Sequence, residues 1–427
     1  MLLDPFRSVL IPLFLAVSLL SNCAASEQGI STPSGEALGV RIGPLVDLLH
    51  VQTGRDKVKS LADSSGQIHV FIASSELQQI IEVVVRGNKV VEQRIIRTGV
   101  SPALIDAAFD RNGRLHLLID SELFILEEGS WRSSDRTPWN DVGLKVANAR
   151  FVPNAPDLIW VFQVSGSEVG APRRVDIYAL GGPGGAIIWP WVTQGSRTVV
   201  VGSTSSGYGP WIAVEPEGKE DSEIVGLDAD RRGNVYFIYR LTHGGLGDQA
   251  VYRYARIGAD AFTFSGNRDT SVPDMKPKAT QAASIVGKPV PMKGLHQWLS
   301  VDPDSGTAFV SLRFVVTGDS WSDAISWPLK GVKLWNVRTA ADQGDDFHLF
   351  ALERPGQSSF GKGYPVQYLR LSKGSWSPPL EVGMADVSTA FGFTGDALSI
   401  VRTADGKVFL SWPTENAIVG RWIEPIR

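Results

Sequence analysis

The chain has 427 residues, enough for two ordinary domains or for one large repeat fold with a sizeable core. Its formal net charge of −4 shows no basic excess, which argues against a nucleic-acid partner. With 44 Gly, 25 Pro and 13 Trp, and with helical stretches scarce, the composition suits many short strands joined by turns. In chain order, residues 1–22 read as a secretion signal. Arg7 supplies the positive start, partly offset by Asp4, and Val9 to Leu20 form an apolar run. That run is shorter than the roughly 20 residues a membrane span needs.

The run ends at Leu20-Ser21-Asn22-Cys23, which resembles the bacterial lipobox: a Leu three places and a small residue two places before Cys, with Asn22 where Gly, Ala or Ser is usual. The resemblance implies cleavage before Cys23 and lipidation of its thiol, making the membrane a partner through the N-terminal lipid. Cys23 is the only cysteine, so no intramolecular disulfide accounts for it. The competing reading is an ordinary cleaved signal in which Cys23 is incidental. Residues 23–39 then form the lipidated cysteine and a flexible tether rich in Ser, Gly and Thr.

From residue 40 to residue 427 the chain reads as a single domain built on a recurring sentence: strand, polar turn ending in Gly, strand. The clearest copy is Leu227 to Tyr239. There Asp230 and Gly233 supply turn chemistry, and Val235, Phe237 and Tyr239 alternate with Tyr236, Ile238 and Arg240. Both faces are largely apolar, as expected of a sheet covered on both sides.

The first copy runs through Leu61 to Gly66 into a strand at Ile68–Ala73, followed by Ile80–Val85, the turn Gly87-Asn88 and Val90–Ile96. The second uses Ala107–Asp110, Leu115–Ile119 and Leu123–Leu126. The third turns at Pro153–Asp157, with strands Leu158–Val164 and Val175–Leu180. After Leu227–Tyr239 come Ala250–Ile257 and Ala261–Phe264, then a Pro- and Lys-containing loop from Asp269 to Lys293. Later copies place strands at Trp298–Val301, Ala308–Phe314, Phe347–Leu352, Val366–Leu371, Leu398–Arg402, Val408–Trp412 and Ile418–Trp422.

Repeats of about 40–50 residues with four short strands each match propeller blades. The expected fold is therefore all-β: a β-propeller of four-stranded blades, seven in number. Eight is the alternative, because Arg197 to Val214 leave room for one more degenerate unit. A strand from Val40 to Val51 would join the last blade, closing the ring and removing open sheet edges.

Asp304-Ser305-Gly306-Thr307-Ala308-Phe309 resembles the Asp-box turn of sialidase-type propellers, with Asp302 where that family has Ser. Looser versions are Asp228, Asp230 and Gly233, and Thr403, Asp405 and Gly406. These turns are structural in the family, so the resemblance implies the fold and not a chemistry. No Phe-Arg-Ile-Pro signature precedes the first repeat, and Arg41-Ile42-Gly43-Pro44 is a distant echo. A sialidase activity is not implied.

Catalytic and metal signatures are thin. Of the six histidines, His69, His116 and His348 fall in strand patterns and read as packed residues. His243 and His296 fall in loops, where function is easier to place. No His pair has ligand spacing, and the Asp pairs 228/230, 302/304 and 345/346 lack the longer ligand series of a calcium loop, so no metal and no cofactor is expected. Neither a phosphate loop nor a nucleophile elbow is present.

The aromatic side chains are more informative. Trp189, Trp191, Tyr208, Trp211, Trp321 and Trp327 lie in Gly-, Ser- and Pro-rich stretches where aromatic rings can stack on sugars or anchor a protein. Trp131, Trp298, Trp376, Trp412 and Trp422 read instead as fillers between wedge-shaped blades. These features favour a lipid-anchored propeller of the bacterial cell envelope acting as a non-catalytic module that binds an envelope protein or a glycan. The alternative is a carbohydrate-active enzyme, a glycosidase or polysaccharide lyase, on the same propeller. Enzyme activity is left open, with the balance against it.

Overall fold

A computed structural model describes residues 39–51, 56–100, 104–141, 146–152, 158–165, 176–178, 186–188, 196–204, 207–214, 221–229, 235–242, 251–257, 285–287, 296–301, 307–316, 320–321, 325–330, 333–341, 347–354, 363–372, 375–386 and 398–426. The described side chains fall within 39–160 and 338–426; elsewhere the description is of backbone alone. The chain divides into compact units 1–32 and 33–427, and every described residue belongs to the second. Among the described residues no helix is long and apolar enough to cross a membrane.

Strand β1 spans Val40–His50. The first sheet follows with β2 (Lys57–Ala62), β3 (Ile68–Ser74), β4 (Gln79–Arg86) and β5 (Lys89–Thr98), paired in chain order. The second holds β6 (Ile105–Phe109), β7 (Leu115–Ile119), β8 (Glu122–Glu127) and β9 (Ser130–Ser134), and a single turn, α1 (Pro138–Asp141), leads out of it. The third begins with β10 (Val146–Phe151) and β11 (Ile159–Ser165). A separate two-strand ladder of β12 (Asp176–Tyr178) and β13 (Ala186–Ile188) intervenes before β14 (Ser196–Thr204) and β15 (Gly207–Val214) complete the third sheet.

The fourth sheet is β16 (Asp221–Ala229), β17 (Val235–Thr242) and β18 (Val251–Ile257). The fifth comprises β19 (Ile285–Gly287), β20 (His296–Val301), β21 (Thr307–Val316), β22 (Ser320–Trp321) and β23 (Ile325–Lys330). The sixth comprises β24 (Lys333–Ala341), β25 (Phe347–Arg354), β26 (Tyr364–Ser372), β27 (Ser375–Trp376) and β28 (Leu380–Ala385). The last holds β29 (Ser399–Arg402), β30 (Val408–Pro413) and β31 (Ala417–Pro425), with β1 on its outer edge.

The way these sheets meet defines a β-propeller. Strand β2 lies beside β29 on one side and β6 on the other, and β6 lies beside β10. From β14, in the same sheet as β10, adjacency passes to β16, then β19, β24 and back to β29. The circuit runs through an edge strand of every sheet but the third, which it enters at β10 and leaves at β14. The expected closing strand is present: β1 pairs antiparallel with β31 from Val40↔Pro425 to His50↔Ala417. Gly43-Pro44 fall at the first of two register shifts in that ladder, where a missing proline N–H does no harm on an edge strand.

Packing between neighbouring sheets explains the strand patterns. β3, β7 and β30 are buried along their whole length, because each is sandwiched on both faces. One apolar layer joins the sixth and last sheets through Phe350, Tyr368, Leu410 and Trp412. A second joins the last and first through Phe409, Trp422, Ile68 and Val83. A third joins the first and second through Phe71, Ile80, Leu117 and Phe124. Each fully buried large side chain of this kind contributes about 1.5–3 kcal/mol. Contact between sheets is close: a Cβ on Gly383 of the sixth would meet the Trp412 ring of the last at 2.5 Å.

Three sequence expectations need correction. Val175–Leu180 does not supply the next strand of the third repeat; β11 pairs with β14, and β12 pairs with β13. The stretch Arg197 to Val214 is therefore β14 and β15 of the third sheet and not an extra unit. A 30-residue excursion between β11 and β14, residues 166–195, had disguised one sheet as two. The loop expected from Asp269 to Lys293 also contains β19, which pairs with β20.

Candidate functional site

Among the described residues, polar groups of the inner strands join neighbouring sheets. Arg338 Nε on β24 donates to the Leu398 carbonyl at the start of the last sheet, 3.0 Å away. The Ser60 amide on β2 donates to Ser399 Oγ at 2.7 Å, and Ser60 Oγ lies 2.9 Å from Ser411 Oγ. Lys59 Nζ contacts Asp106 Oδ1 on β6 at 2.5 Å, while Asp106 Oδ2 accepts the Phe151 amide of β10 at 2.8 Å. These ties run in sequence from the sixth sheet to the third. The described part of the centre thus holds paired charges, and Asp106 is consumed by structure.

The strand-to-strand turns are built alike in three sheets. Asp63, Asp110 and Thr403 each donate a backbone N–H to the residue four places on and accept from the glycine three places on, at 2.9–3.1 Å. Gly66, Gly113 and Gly406 have φ of 82°, 75° and 89°, a region where glycine has no side-chain penalty. Asp63 Oδ1 also accepts the amides of Ser65 and Gln67, and Asp110 Oδ1 those of Asn112 and Arg114. Burial alone would raise both carboxyls, but this set of donors outweighs it and holds them below the ordinary range.

Six residues beyond each Asp stands a histidine: His69 Nε2 is 3.8 Å from Asp63 Oδ2, and His116 Nε2 is 3.3 Å from Asp110 Oδ2. His69, His116 and His348 are all buried, as their strand positions imply. His69 Nδ1 faces Glu82 at 2.8 Å, and Glu82 also receives Arg94 Nη1 at 2.8 Å and Trp131 Nε1 at 3.0 Å. Glu82 is fully buried, which would raise its pKa, yet the bonds from His69, Trp131 and Arg94 lower it. This is a lock between the first and second sheets.

An open cleft is found elsewhere, between the second and third sheets. Its volume is 590 Å³, and it is lined by Ser121, Glu122, Leu123, Ser133, Ser134, Asp135, Trp139, Asn140 and Val146. Ser121 comes from the β7–β8 turn. There Asp120 adopts φ 55° and is fixed by exchanging hydrogen bonds with Leu104: its amide donates to the Leu104 carbonyl and its Oδ1 accepts the Leu104 amide, both at 2.9 Å. The other wall is the β9–β10 connection. Thr137 Oγ1 accepts the Asn140 amide at 3.3 Å and Pro138 occupies the first helical position, an arrangement suited to starting a helix. Trp139 is buried beneath, edge-on to Trp160 with centroids 5.6 Å apart.

Strand alternation places this cleft on a particular face. In an antiparallel sheet successive connections leave from opposite ends of the strands. The Asp63, Asp110 and Thr403 turns leave from one face, and the β7–β8 and β9–β10 connections from the other. The β11–β14, β17–β18 and β28–β29 connections also start from strand ends on the cleft face, and they are long in sequence: 166–195, 243–250 and 386–398.

Of the residues singled out in the sequence, Cys23, Trp189, Trp191 and His243 lie outside the described residues. Tyr208 and Trp211 are not in a loop but in β15, opposite Ser203 and Val201. The glycines and Pro210 of that stretch are tolerated because β15 is an edge strand. His296 likewise opens β20, and Trp321 and Trp327 lie in β22 and β23. His296 and Trp321 both pair with Val315 and so share one register row, while Trp327 pairs with Val310.

Trp131, Trp412 and Trp422 fill inter-sheet space as expected. Trp412 donates to the Met384 carbonyl of the sixth sheet and Trp422 to the Gly87 carbonyl of the first. The cleft residues were missed. The available signals were Thr137-Pro138 as a helix start and Asp120-Ser121 as a two-residue hairpin turn, and neither marks a ligand.

No family model and no curated protein matches the chain. Among solved structures it is similar to an ulvan lyase of polysaccharide lyase family PL25, at 10% identity over 75% of this chain and 79% of that one, with a TM-score of 0.47. It is also similar to the WD40 domain of Toxoplasma gondii coronin, at 10% identity, 91% and 86% coverage and a TM-score of 0.45. A third is the Penicillium chrysogenum α-L-arabinanase, at 9% identity, 90% and 99% coverage and a TM-score of 0.43. The likeness is one of fold alone.

Proposed function

We propose that this chain is a seven-bladed propeller, anchored to the bacterial cell envelope through Cys23, that binds a glycan without cleaving it. The observation that carries the reading is the 590 Å³ cleft on the face of long connections. Its volume lies in the range of small-ligand sites. Three serine hydroxyls, the Asn140 amide and two carboxylates line it, a set that matches the dense hydroxyl pattern of a sugar. A protein partner, which the sequence leaves open, would favour exposed aromatic anchors, and Trp139 here is buried.

Titration calorimetry of the purified chain against envelope oligosaccharides tests the reading. Binding is expected, and Ser133→Trp, which fills the cleft, should weaken it tenfold or more; unaltered affinity in that variant would remove the cleft from the account. A second reading, glycosidase or lyase, is favoured by one observation: Glu122 and Asp135 line the same cleft, and paired carboxylates are the usual means of glycoside cleavage. Appearance of new reducing ends or unsaturated sugars on incubation, lost in Glu122→Gln, would establish it. For the anchor, mass spectrometry of the mature N-terminus should find an acylated Cys23. A start at or after Ala24 without acyl chains would remove the membrane as a partner.

A further inference from the structure

We infer that the cleft takes a neutral or amine-bearing oligosaccharide and discriminates against uronates and sulfated sugars; this rests on the glycan reading above. Among the described residues, the lining contains two carboxylates and no Lys, Arg or His. One guanidinium that reaches a lining carboxylate, that of Arg97, is already engaged. Arg97 on β5 ion-pairs with Glu122, and its guanidinium sits over the Phe124 ring, 5.7 Å from the centroid. It neutralises Glu122 from outside the cleft and has no reason to turn toward an incoming anion.

Asp135 is different. Its side chain is exposed and has no hydrogen-bond or ion-pair partner among the described residues. Its backbone, by contrast, is held firmly. The carbonyl accepts the Thr137 amide at 2.9 Å and Asn140 Nδ2 at 3.2 Å, and Thr137 itself is fully buried. A fixed loop therefore presents an uncompensated negative charge at the wall of the cleft. The remaining polar groups, Ser121, Ser133, Ser134 and Asn140, are neutral and can both donate and accept. Hydroxyl groups satisfy them without electrostatic cost, and an ammonium group gains from Asp135. A ligand carboxylate or sulfate a few ångströms away meets like-charge repulsion that screening by water leaves at roughly a tenfold loss in affinity.

The test is a glycan array of neutral, amino, uronate and sulfated oligosaccharides probed with the full chain at low salt, with calorimetry on every hit. Bound members are expected to be neutral or amine-bearing, each at least tenfold tighter than its uronate counterpart. Asp135→Asn should narrow that gap about tenfold. Its side chain supports no other group, so the fold is expected to persist. Glu122→Gln, which releases Arg97, provides the second variant and should narrow the gap further. If the tightest ligands are anionic, the charge inference is overturned while glycan binding stands. If the preference for neutral sugars is unchanged in both variants, the charge at this cleft is not its source and the inference is also overturned. If no sugar of any class binds, the glycan reading falls and this inference with it.

Discussion

Glu82 shows how much a single residue can carry in this fold. It is wholly buried, and three side chains reach it from 12, 13 and 49 positions away in sequence. Removing its charge leaves Arg94 with Glu92 alone and leaves Trp131 and His69 without an acceptor of equal strength. Glu82→Gln should therefore cost about 2–4 kcal/mol, read as a lower denaturant midpoint at unchanged slope. The sign of the pH dependence follows from the lowered pKa values of Glu82, Asp63 and Asp110. A carboxyl depressed in the folded state adds stability above its unfolded pKa and loses it as pH falls through the folded one. Thermal midpoints should hold steady above about pH 5 and fall below about pH 4, with a smaller acid drop in Glu82→Gln. None of this was legible in Ile80 to Val85, where Glu82 reads as one polar interruption in an apolar strand. Its partners come from two sheets, and a linear pattern carries no record of them.

At the scale of the element, β1 is the most exposed to test. Among the described strands its one ladder partner is β31, and it buries Val40, Val46, Leu48 and Leu49 against the last and first sheets. That burial is worth on the order of 6–10 kcal/mol, comparable with the whole stability of a typical domain. A chain lacking residues up to His50 should lose its cooperative melt and expose the edge of β31. Differential scanning calorimetry checks this; a truncated chain that melted as sharply as the parent would show that closure by β1 is dispensable. Strands were the most readable elements because alternation and polar turns announce them, as at Ile68–Ala73 and Leu115–Ile119. Reading failed at Tyr208 to Trp211 and around Trp321 and Trp327. There, glycine, serine and proline normally signal a loop, and only an edge position lets them remain in a strand.

For the whole molecule, the ring could be read from the recurring turn, since Asp63, Asp110 and Thr403 make one local structure and local structure is what sequence records. The partition of strands among sheets was harder. β14 and β15 return to β10 and β11 after residues 166–195, and nothing within Arg197 to Val214 points back across that gap. The cleft was harder still, because Ser121, Asp135 and Val146 each belong to a different turn or strand end and meet only when the second sheet is set against the third.

The closing ladder also has a consequence for biosynthesis. Arg41 and Glu424 are 383 positions apart, so β1 has no partner until nearly the whole chain has been made. At ordinary ribosomal speeds that wait lasts on the order of 20 s or longer. Throughout it, an N-terminal strand with two free edges is in reach of other nascent chains. Pro44, Arg41, Asp47 and the two register shifts make β1 a poor match for anything flat and regular, which is the usual defence of an unpaired strand. The irregularity that weakens β1 as a strand is what keeps it available for β31.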